Sequence, residues 1–225
     1  MKSTQSEENY VKQIFQLSGD HDEWVNTTHL AEKVNLKPSS VTDMVQKLHQ
    51  KNLVKYKKYK GVRLSENGKD LALKVIRKHR LWEVFLHKKL LFNWDEVHDI
   101  AEQLEHISST ELVKRLDKFL NYPKLDPHGD PIPNESGEFS HSDRRQVSDC
   151  REDDKGILVG VNDSSSSFLQ FLENRELTLG TLLKIKKYQE FDQSFDIELG
   201  RGKKVLNISS EVAFNLFISN DSSND

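Results

Sequence analysis

The sequence predicts a mainly α-helical protein with small β parts, on three observations. Apolar residues recur at helical spacing over most of the chain up to Leu120. An alternating segment rich in lysine and tyrosine, Leu53–Ser65, interrupts this spacing and predicts a β-hairpin. From Gly156 onward, short strand-like runs replace the helical spacing, which is typical of a small β-barrel.

The first part of the chain has the pattern of a winged helix-turn-helix. Helical spacing predicts a first helix over Glu7–Leu17, with Ser6 as its N-terminal cap. A short second helix follows Asn26, and a third begins at Pro38. Two short helices with a tight turn, followed by a basic hairpin, form a DNA-binding unit in which the last helix enters the major groove and the wing follows the phosphates.

Charge is unevenly distributed along the chain, which carries a net −3. Between Lys33 and Lys69, ten lysines and arginines stand against two acidic residues. This balance indicates a polyanion such as double-stranded DNA, although a winged helix used only for protein contacts, with solvated lysines, fits the pattern too. The candidate DNA-contacting residues lie on the third helix and in the wing: Ser39, Ser40, Thr42, Asp43, Lys47, Lys57, Lys58 and Lys60.

The segment from Lys69 to Leu120 is predicted to be all-helical, with breaks near Phe92 and Ser108. Its apolar face is larger than three short helices need for their own packing. We therefore expect part of this face to form a subunit interface.

The same segment carries histidines and glutamates at spacings that suit a metal site. At about 100° per residue, four of them fall within a helical stripe about 100° wide: His98, Glu102, Glu105 and His106. A second pair, His79 and Glu83, is spaced i,i+4 and offers ligands from a neighbouring helix. Imidazole and carboxylate groups that converge on one face suit a divalent first-row metal. The alternative is a polar helix face with scattered histidines.

The domain boundaries follow from these patterns. We expect a winged-helix domain over residues 1–70, a helical domain over 71–139, a polar linker over 140–155 and a small β-barrel over 156–221, in which S-E-V-A-F-N-L-F-I forms a closing helix. The sequence contains one cysteine, has no apolar run long enough for a membrane span and begins without a secretion signal. These features indicate a cytoplasmic protein without internal disulfides.

Five motifs, in order, resemble the diphtheria toxin repressor / manganese transport regulator family. They are V-T-D-M-V-Q-K-L, Y-K-G-V-R-L-S-E-N-G, R-K-H-R-L-W-E, V-H-D-I-A-E-Q-L-E-H and D-P-H-G-D-P-I-P, and the resemblance covers residues 6–133. The C-terminal unit is similar to the SH3-like (FeoA-like) domain of the longer members. The resemblance implies a homodimeric, metal-activated repressor of metal-uptake genes. It also implies a winged helix, a helical dimerisation and metal-binding domain, and an operator that is an inverted repeat.

The resemblance also implies two metal ions per subunit. One site takes Glu102, Glu105 and His106 with a side chain from the first helix, where Asn9 holds the family's ligand position. The other takes His79, Glu83 and His98, with help from the barrel, where Asp163 is the nearest carboxylate. Lys12 stands where shorter manganese regulators have a second carboxylate, which argues against a closely bridged pair of ions.

The identity of the metal depends on one position. Glu102 occupies a place that is a cysteine in iron-responsive members, so the resemblance favours Mn²⁺, with Fe²⁺ as the alternative. Two other classes of function remain open at this stage. They are a metalloenzyme with Glu102 or Glu105 as general base on a metal-bound water, and a winged-helix regulator that senses something other than metal.

Overall fold

The computed structural model describes residues 3–19, 22–140, 143–200 and 204–220. Within these ranges the helices are α1 (Gln5–Ser18), α2 (Thr27–Lys33), α3 (Pro38–Gln50), α4 (Glu66–Leu90), α5 (Val97–Leu104), α6 (Thr110–Phe119), α7 (Ser166–Glu173) and α8 (Ser210–Phe214). The strands are β1 (Val54–Lys57), β2 (Gly61–Leu64), β3 (Arg145–Gln146), β4 (Lys155–Val161), β5 (Leu182–Tyr188), β6 (Phe195–Leu199), β7 (Lys204–Ile208) and β8 (Leu216–Ser219).

The chain divides into two compact units, and three helices run through both. The first unit contains the described residues up to His79, together with Glu102–Arg115 and Pro133–Glu138. The second contains Arg80–Ala101, Leu116–Ile132 and the described residues from Phe139 onward. None of the helices in the described ranges is long and apolar enough to cross a membrane.

Helix α1 begins earlier than the sequence pattern predicts. Its N-terminal cap is Thr4, not Ser6, and Thr4 forms a reciprocal capping box with Glu7. The box satisfies two backbone N–H groups that would otherwise lack a partner at the start of the helix. The helix then packs Tyr10, Val11 and Ile14 into the core of the first unit.

The winged helix forms in the first unit as the sequence predicts. Asn26 caps α2 by accepting a hydrogen bond from the Thr28 N–H, and Pro38 opens α3, where its missing N–H costs nothing. Helix α3 buries Val41, Val45 and Leu48 and leaves its opposite face exposed. Strands β1 and β2 form the antiparallel hairpin that follows it.

The segment from α4 to α6 leaves apolar side chains on its surface. The most exposed are Leu90 (53%), Leu91 (83%) and Phe119 (61%), and Leu112 is exposed as well. Single exposed apolar residues are ordinary, but these four share one helical segment. They are therefore available for the subunit interface that the sequence predicts.

The C-terminal part forms a six-stranded antiparallel sheet with the order β3-β8-β4-β5-β6-β7. It corrects two sequence-based expectations. Residues assigned to the linker form β3 and a short 3-10 helix, and Val147 enters the core of the sheet. The predicted closing helix ends at Phe214, and β8 follows because Leu216 and Ile218 alternate into the core while their backbone pairs with β4.

Candidate metal centre and nucleic-acid surface

The first unit holds a buried cluster of ionisable side chains at the centre of the sequence-predicted stripe. Glu105 is 1% exposed, and its Oε2 lies 2.6 Å from the His79 Nδ1 and 2.6 Å from the Lys12 Nζ. The Lys12 Nζ also lies 3.3 Å from the His79 Nδ1 and 3.6 Å from an oxygen of Glu102. Helices α1, α4 and α5, with the residues just after α5, therefore contribute to one polar core.

Glu105 is ionised in this cluster. Burial alone raises its pKa, but the hydrogen bond with His79 and the charge of Lys12 outweigh burial, so the pKa of Glu105 lies below its ordinary value. An ionised carboxylate beside an imidazole is a donor pair that suits divalent first-row metals.

His106 reaches α1 through Glu8 rather than through Asn9. The His106 Nδ1 lies 2.7 Å from the Glu8 Oε2, and its Nε2 lies 3.7 Å from Glu105. Asn9, the predicted first-helix ligand, is exposed. Glu8 is one position away and was not singled out from the sequence. Glu8, rather than Asn9, therefore supplies the α1 oxygen that faces His106.

A second cluster lies in the second unit, around Glu83. The Glu83 Oε1 is 3.4 Å from the His98 Nδ1 and 3.6 Å from the His128 Nδ1. Ligand atoms of Glu83, Asp126 and His128 lie within 4.8 Å of one another, and all three residues are buried. On α4, His79 precedes Glu83 by one helical turn, so the helix presents both side chains on one face.

The structure thus adds Asp126 and His128 to the sequence-predicted residues. Both belong to the motif D-P-H-G-D-P-I-P, which carries the family resemblance but for which the sequence predicts no ligand. The sequence signal for these two candidate ligands is a histidine that stands between two aspartates in a turn. The Asp126 Oδ1 accepts hydrogen bonds from the His128 and Asp130 N–H groups, and this turn fixes the position of His128.

Several carboxyl groups lie close together at this second cluster. Burial, reinforced by the neighbouring Glu83 and Asp130 carboxylates, raises the pKa of Asp126 well above its ordinary value, and Arg80 only partly opposes this rise. The Arg80 Nε lies 3.4 Å from the Asp126 Oδ2. Buried carboxylates with two imidazoles form a donor set of oxygen and nitrogen that fits a divalent ion.

Asp163 lies in the turn before α7. Its Oδ1 accepts a hydrogen bond from the Ser165 N–H. Next to it, the Ser166 hydroxyl donates to the Asp95 carbonyl, and the Gln170 side chain donates to the Asp95 carboxylate. Helix α7 is therefore attached to the loop between α4 and α5, which places the barrel beside the segment that precedes His98.

Gly129 offers a direct test of how the sheet holds the His128 turn. It has a φ of +84°, and a Cβ atom there would lie 1.9 Å from the Val159 carbonyl oxygen of β4. We expect Gly129→Ala to lower the melting temperature and to weaken metal binding, because the turn must move away from β4 and carry His128 with it. Thermal unfolding and calorimetric titration with Mn²⁺ measure both effects.

Gly180→Ala is the matched control for this substitution. Gly180 has a φ of +88°, but nothing lies within 4 Å of its missing Cβ. This variant isolates the backbone strain, which costs about 1–2 kcal/mol. If both variants behave alike, contact with β4 does not hold the His128 turn.

The DNA-binding candidates form an exposed surface on the winged helix. Ser39, Ser40, Asp43 and Lys47 are exposed on α3, whereas the Thr42 hydroxyl donates to the Pro38 carbonyl of the same helix. In the wing, the Lys57 and Lys60 ammonium groups stack over Trp24, at 5.4 Å and 4.9 Å from the ring centroid. Lys58 lies 5.1 Å from the ring of Tyr59, which is 96% exposed.

Three domain families match this chain along its length. They are "Iron dependent repressor, N-terminal DNA binding domain" over residues 2–62, "Iron dependent repressor, metal binding and dimerisation domain" over 65–134 and "FeoA domain" over 145–220. A solved manganese-dependent transcriptional repressor in complex with manganese is 31% identical, with a TM-score of 0.87, and the match covers 95% of this chain and 99% of that one. The chain belongs to the diphtheria toxin repressor / manganese transport regulator family.

Two further members of this family show its range of metals. The manganese regulator SloR is 36% identical, with a TM-score of 0.79, and the match covers 98% of this chain and all of that chain. The iron-dependent repressor IdeR of Mycobacterium tuberculosis is 34% identical over 128 residues, which are 56% of this chain and 54% of that protein.

Membership confirms the predicted fold class: an N-terminal winged helix-turn-helix, a helical dimerisation domain and an SH3-like C-terminal domain. The members are DNA-binding transcriptional regulators rather than enzymes, which decides against the metalloenzyme alternative.

Proposed function

We propose that this protein is a manganese-dependent repressor of metal-uptake genes that binds an inverted-repeat operator as a homodimer. The observation that favours manganese is the chemical type of the donor atoms in the two clusters. Both clusters offer only oxygen and nitrogen atoms among the described residues, and the one cysteine, Cys150, packs in the sheet core and donates to the Gln146 carbonyl. Hard oxygen donors suit manganese, whereas a thiolate favours softer metals.

Iron is the second candidate, since the relative from Mycobacterium tuberculosis is named as an iron-dependent repressor. Two ions per subunit fit the two clusters. One would be held by Glu102, Glu105 and His106 with an oxygen from α1. The other would be held by His79, Glu83 and His98, as the resemblance implies, with Asp126 and His128 beside Glu83 as further donors. Asp163 is the predicted contribution from the barrel.

The link from metal to DNA passes through α1 in this proposal. Glu8 faces His106 at 2.7 Å, and the preceding Glu7 forms an ion pair of 2.6 Å with Lys51, directly after α3. Burial raises the pKa of Glu7, but the hydrogen bond and charge of Lys51, together with the hydrogen bonds to Thr4, outweigh burial and lower it, so the pair is charged near neutral pH. Fixing Glu8 by a bound ion would therefore also fix the end of α3, the recognition helix that is expected to enter the major groove.

The decisive experiment compares operator affinity with and without metal. The operator is first selected from a random duplex library with Mn²⁺-loaded protein, and binding is then measured at one fixed salt concentration with Mn²⁺ or with chelator. We expect tighter binding with Mn²⁺ by about 5–150-fold, the usual range of such coupling. Equal affinity in both conditions would refute metal-dependent DNA binding, and stronger activation by anaerobic Fe²⁺ would favour iron.

The wing lysines should control the salt dependence of binding. We expect Lys58→Ala to reduce the slope of log K against log salt by about 0.9 if its ammonium neutralises one phosphate, and to weaken specific and random duplexes alike. Fluorescence anisotropy at several salt concentrations measures this slope. Lys74→Ala is the control, because Lys74 is an exposed lysine on α4, outside the wing, and pairs with Asp70. A wild-type slope in Lys58→Ala means that this residue does not contact the backbone.

A further inference from the structure

The ammonium of Lys12 lies among atoms that would suit a metal ion. Its neighbours are the Glu105 Oε2 at 2.6 Å, the His79 Nδ1 at 3.3 Å and the Glu102 Oε1 at 3.6 Å. Two carboxylates and an imidazole form a divalent-metal donor set, yet here they surround a lysine whose side chain is 4% exposed. A long, flexible cation is costly to bury, so its placement among these three groups needs an explanation.

We propose that Lys12 is a resident cation, which holds Glu105 and His79 without metal and keeps a divalent ion out of the space between His79, Glu102 and Glu105. A metal bound to the facing atoms would lie about 2.0–2.2 Å from each of them and so within a few ångströms of the ammonium. In a buried, weakly screened site, two cations at so short a distance repel each other strongly. The part of this proposal in which Lys12 excludes an ion depends on the metal binding proposed above. The part in which Lys12 holds Glu105 and His79 does not.

This arrangement leaves the remaining donors for one ion. Glu105 turns its Oε2 towards Lys12, while its Oε1 lies 3.7 Å from the His106 Nε2. One oxygen of this carboxylate therefore faces the Lys12 ammonium, and the other faces the candidate ion site at His106. One ion beside His106 is the expected occupancy, rather than a pair of ions that share Glu105.

The resident cation also attaches α1 to Glu105 before any metal binds. Lys12 lies on α1, one turn after Glu8, and α1 contacts the end of the recognition helix through the Glu7–Lys51 pair. In this proposal, the Lys12–Glu105 ion pair attaches α1 to Glu105 without help from a bound ion. A bound ion would add a second attachment, between α1 and His106, to the one that Lys12 already makes with Glu105.

The exclusion is tested by counting ions. Lys12→Gln removes the charge at similar length, and Lys12→Glu replaces it with a carboxylate. Each full-length variant is saturated with Mn²⁺, freed of excess ion by gel filtration, checked for folding by circular dichroism and analysed for metal content. We expect one more Mn²⁺ per chain than in the wild type, in whichever of the two variants is folded. A wild-type count in a folded Lys12→Gln or Lys12→Glu overturns the exclusion.

The control for the count is Lys74→Gln, which makes the same change at an exposed lysine that pairs with Asp70 on α4. Its ion count should equal that of the wild type. An equal increase in this control would overturn the assignment to Lys12, because it would reflect only the loss of a positive charge somewhere on the protein.

The holding role is tested without metal. In chelator, we expect Lys12→Met to melt roughly 5 °C or more below the wild type, because Glu105 loses its buried cationic partner and keeps the contact with His79, whereas Lys74→Met should melt within about 1 °C of the wild type. A Lys12→Met protein that melts with the wild type overturns this role. Should the wild type bind no Mn²⁺ at all, the proposed function fails, while the melting comparison still decides whether Lys12 holds the cluster.

Discussion

His106→Ala is expected to abolish the activation of operator binding by Mn²⁺, even at high metal concentration. His106 is the imidazole that faces both α1, through Glu8 at 2.7 Å, and Glu105, at 3.7 Å. Its side chain is 8% exposed and lies between these two carboxylates. The expected loss is the whole metal coupling, about 1–3 kcal/mol. Operator affinity with Mn²⁺ and with chelator, at one salt concentration, measures it.

His87→Ala is the matched control for this loss. His87 lies in the last turn of α4, one turn after Glu83, and its Nδ1 bonds the Phe92 carbonyl. We expect this variant to retain activation and the wild-type metal content. If His106→Ala keeps full activation while His87→Ala behaves as the wild type, the coupling does not pass through His106, and the route along α1 must be abandoned.

The sequence predicts helices and strands well where one periodicity acts over a long segment. Helix α4 and the winged helix follow directly from apolar spacing and the turn residues. The prediction is wrong for the segment after S-E-V-A-F. These five residues have helical spacing and form α8, but the residues that follow them form β8 in the sheet. Pairing of β8 with β4 is a long-range contact that no local pattern contains.

The candidate site shows the same division between local and long-range information. The candidate ligands on α4 and α5 are predicted from spacing along a helix, so the sequence identifies His79, Glu83 and His98, and Glu105 follows directly after α5. Asp126 and His128 lie in a turn, where periodicity gives no direction for a side chain, and only folding brings them to Glu83. The donor on the first helix shows how far a family resemblance can predict a ligand. A resemblance transfers a position such as Asn9, but the packing of α1 turns Glu8 towards His106.

The start of α1 was readable from the sequence. T-Q-S-E places a threonine three residues before a glutamate, which is the pattern of a capping box, and the structure contains both of its hydrogen bonds. Ser6 also suits a cap by residue type, but it has no acidic partner at the required spacing. The reciprocal pair, not the single residue, decides where this helix begins.

Glu102→Cys should change which metal activates the protein. Glu102 lies on α5, one turn before His106, and its side chain is 49% exposed, so a substitution there leaves the buried Glu105–His79 pair in place. The variant exchanges a hard oxygen donor for a soft thiolate. Thiolate favours iron, cobalt and zinc over manganese, so activation should shift from Mn²⁺ towards Fe²⁺. Operator binding titrated with Mn²⁺ and, anaerobically, with Fe²⁺ measures the shift.

Glu102→Gln is the matched control, because it removes the charge but keeps an oxygen donor of the same length. It should weaken activation by both metals without exchanging their order, so only the thiolate variant should reverse the preference. Activation of Glu102→Cys should also become more dependent on pH, since a thiol must lose its proton to coordinate, and should strengthen as pH rises. A Glu102→Cys protein that keeps the wild-type order of metals would remove Glu102 from the ligand set. The preference for manganese over iron would then have to come from the other donors, Glu105 and His106, which distinguish the two metals less sharply than a thiolate does.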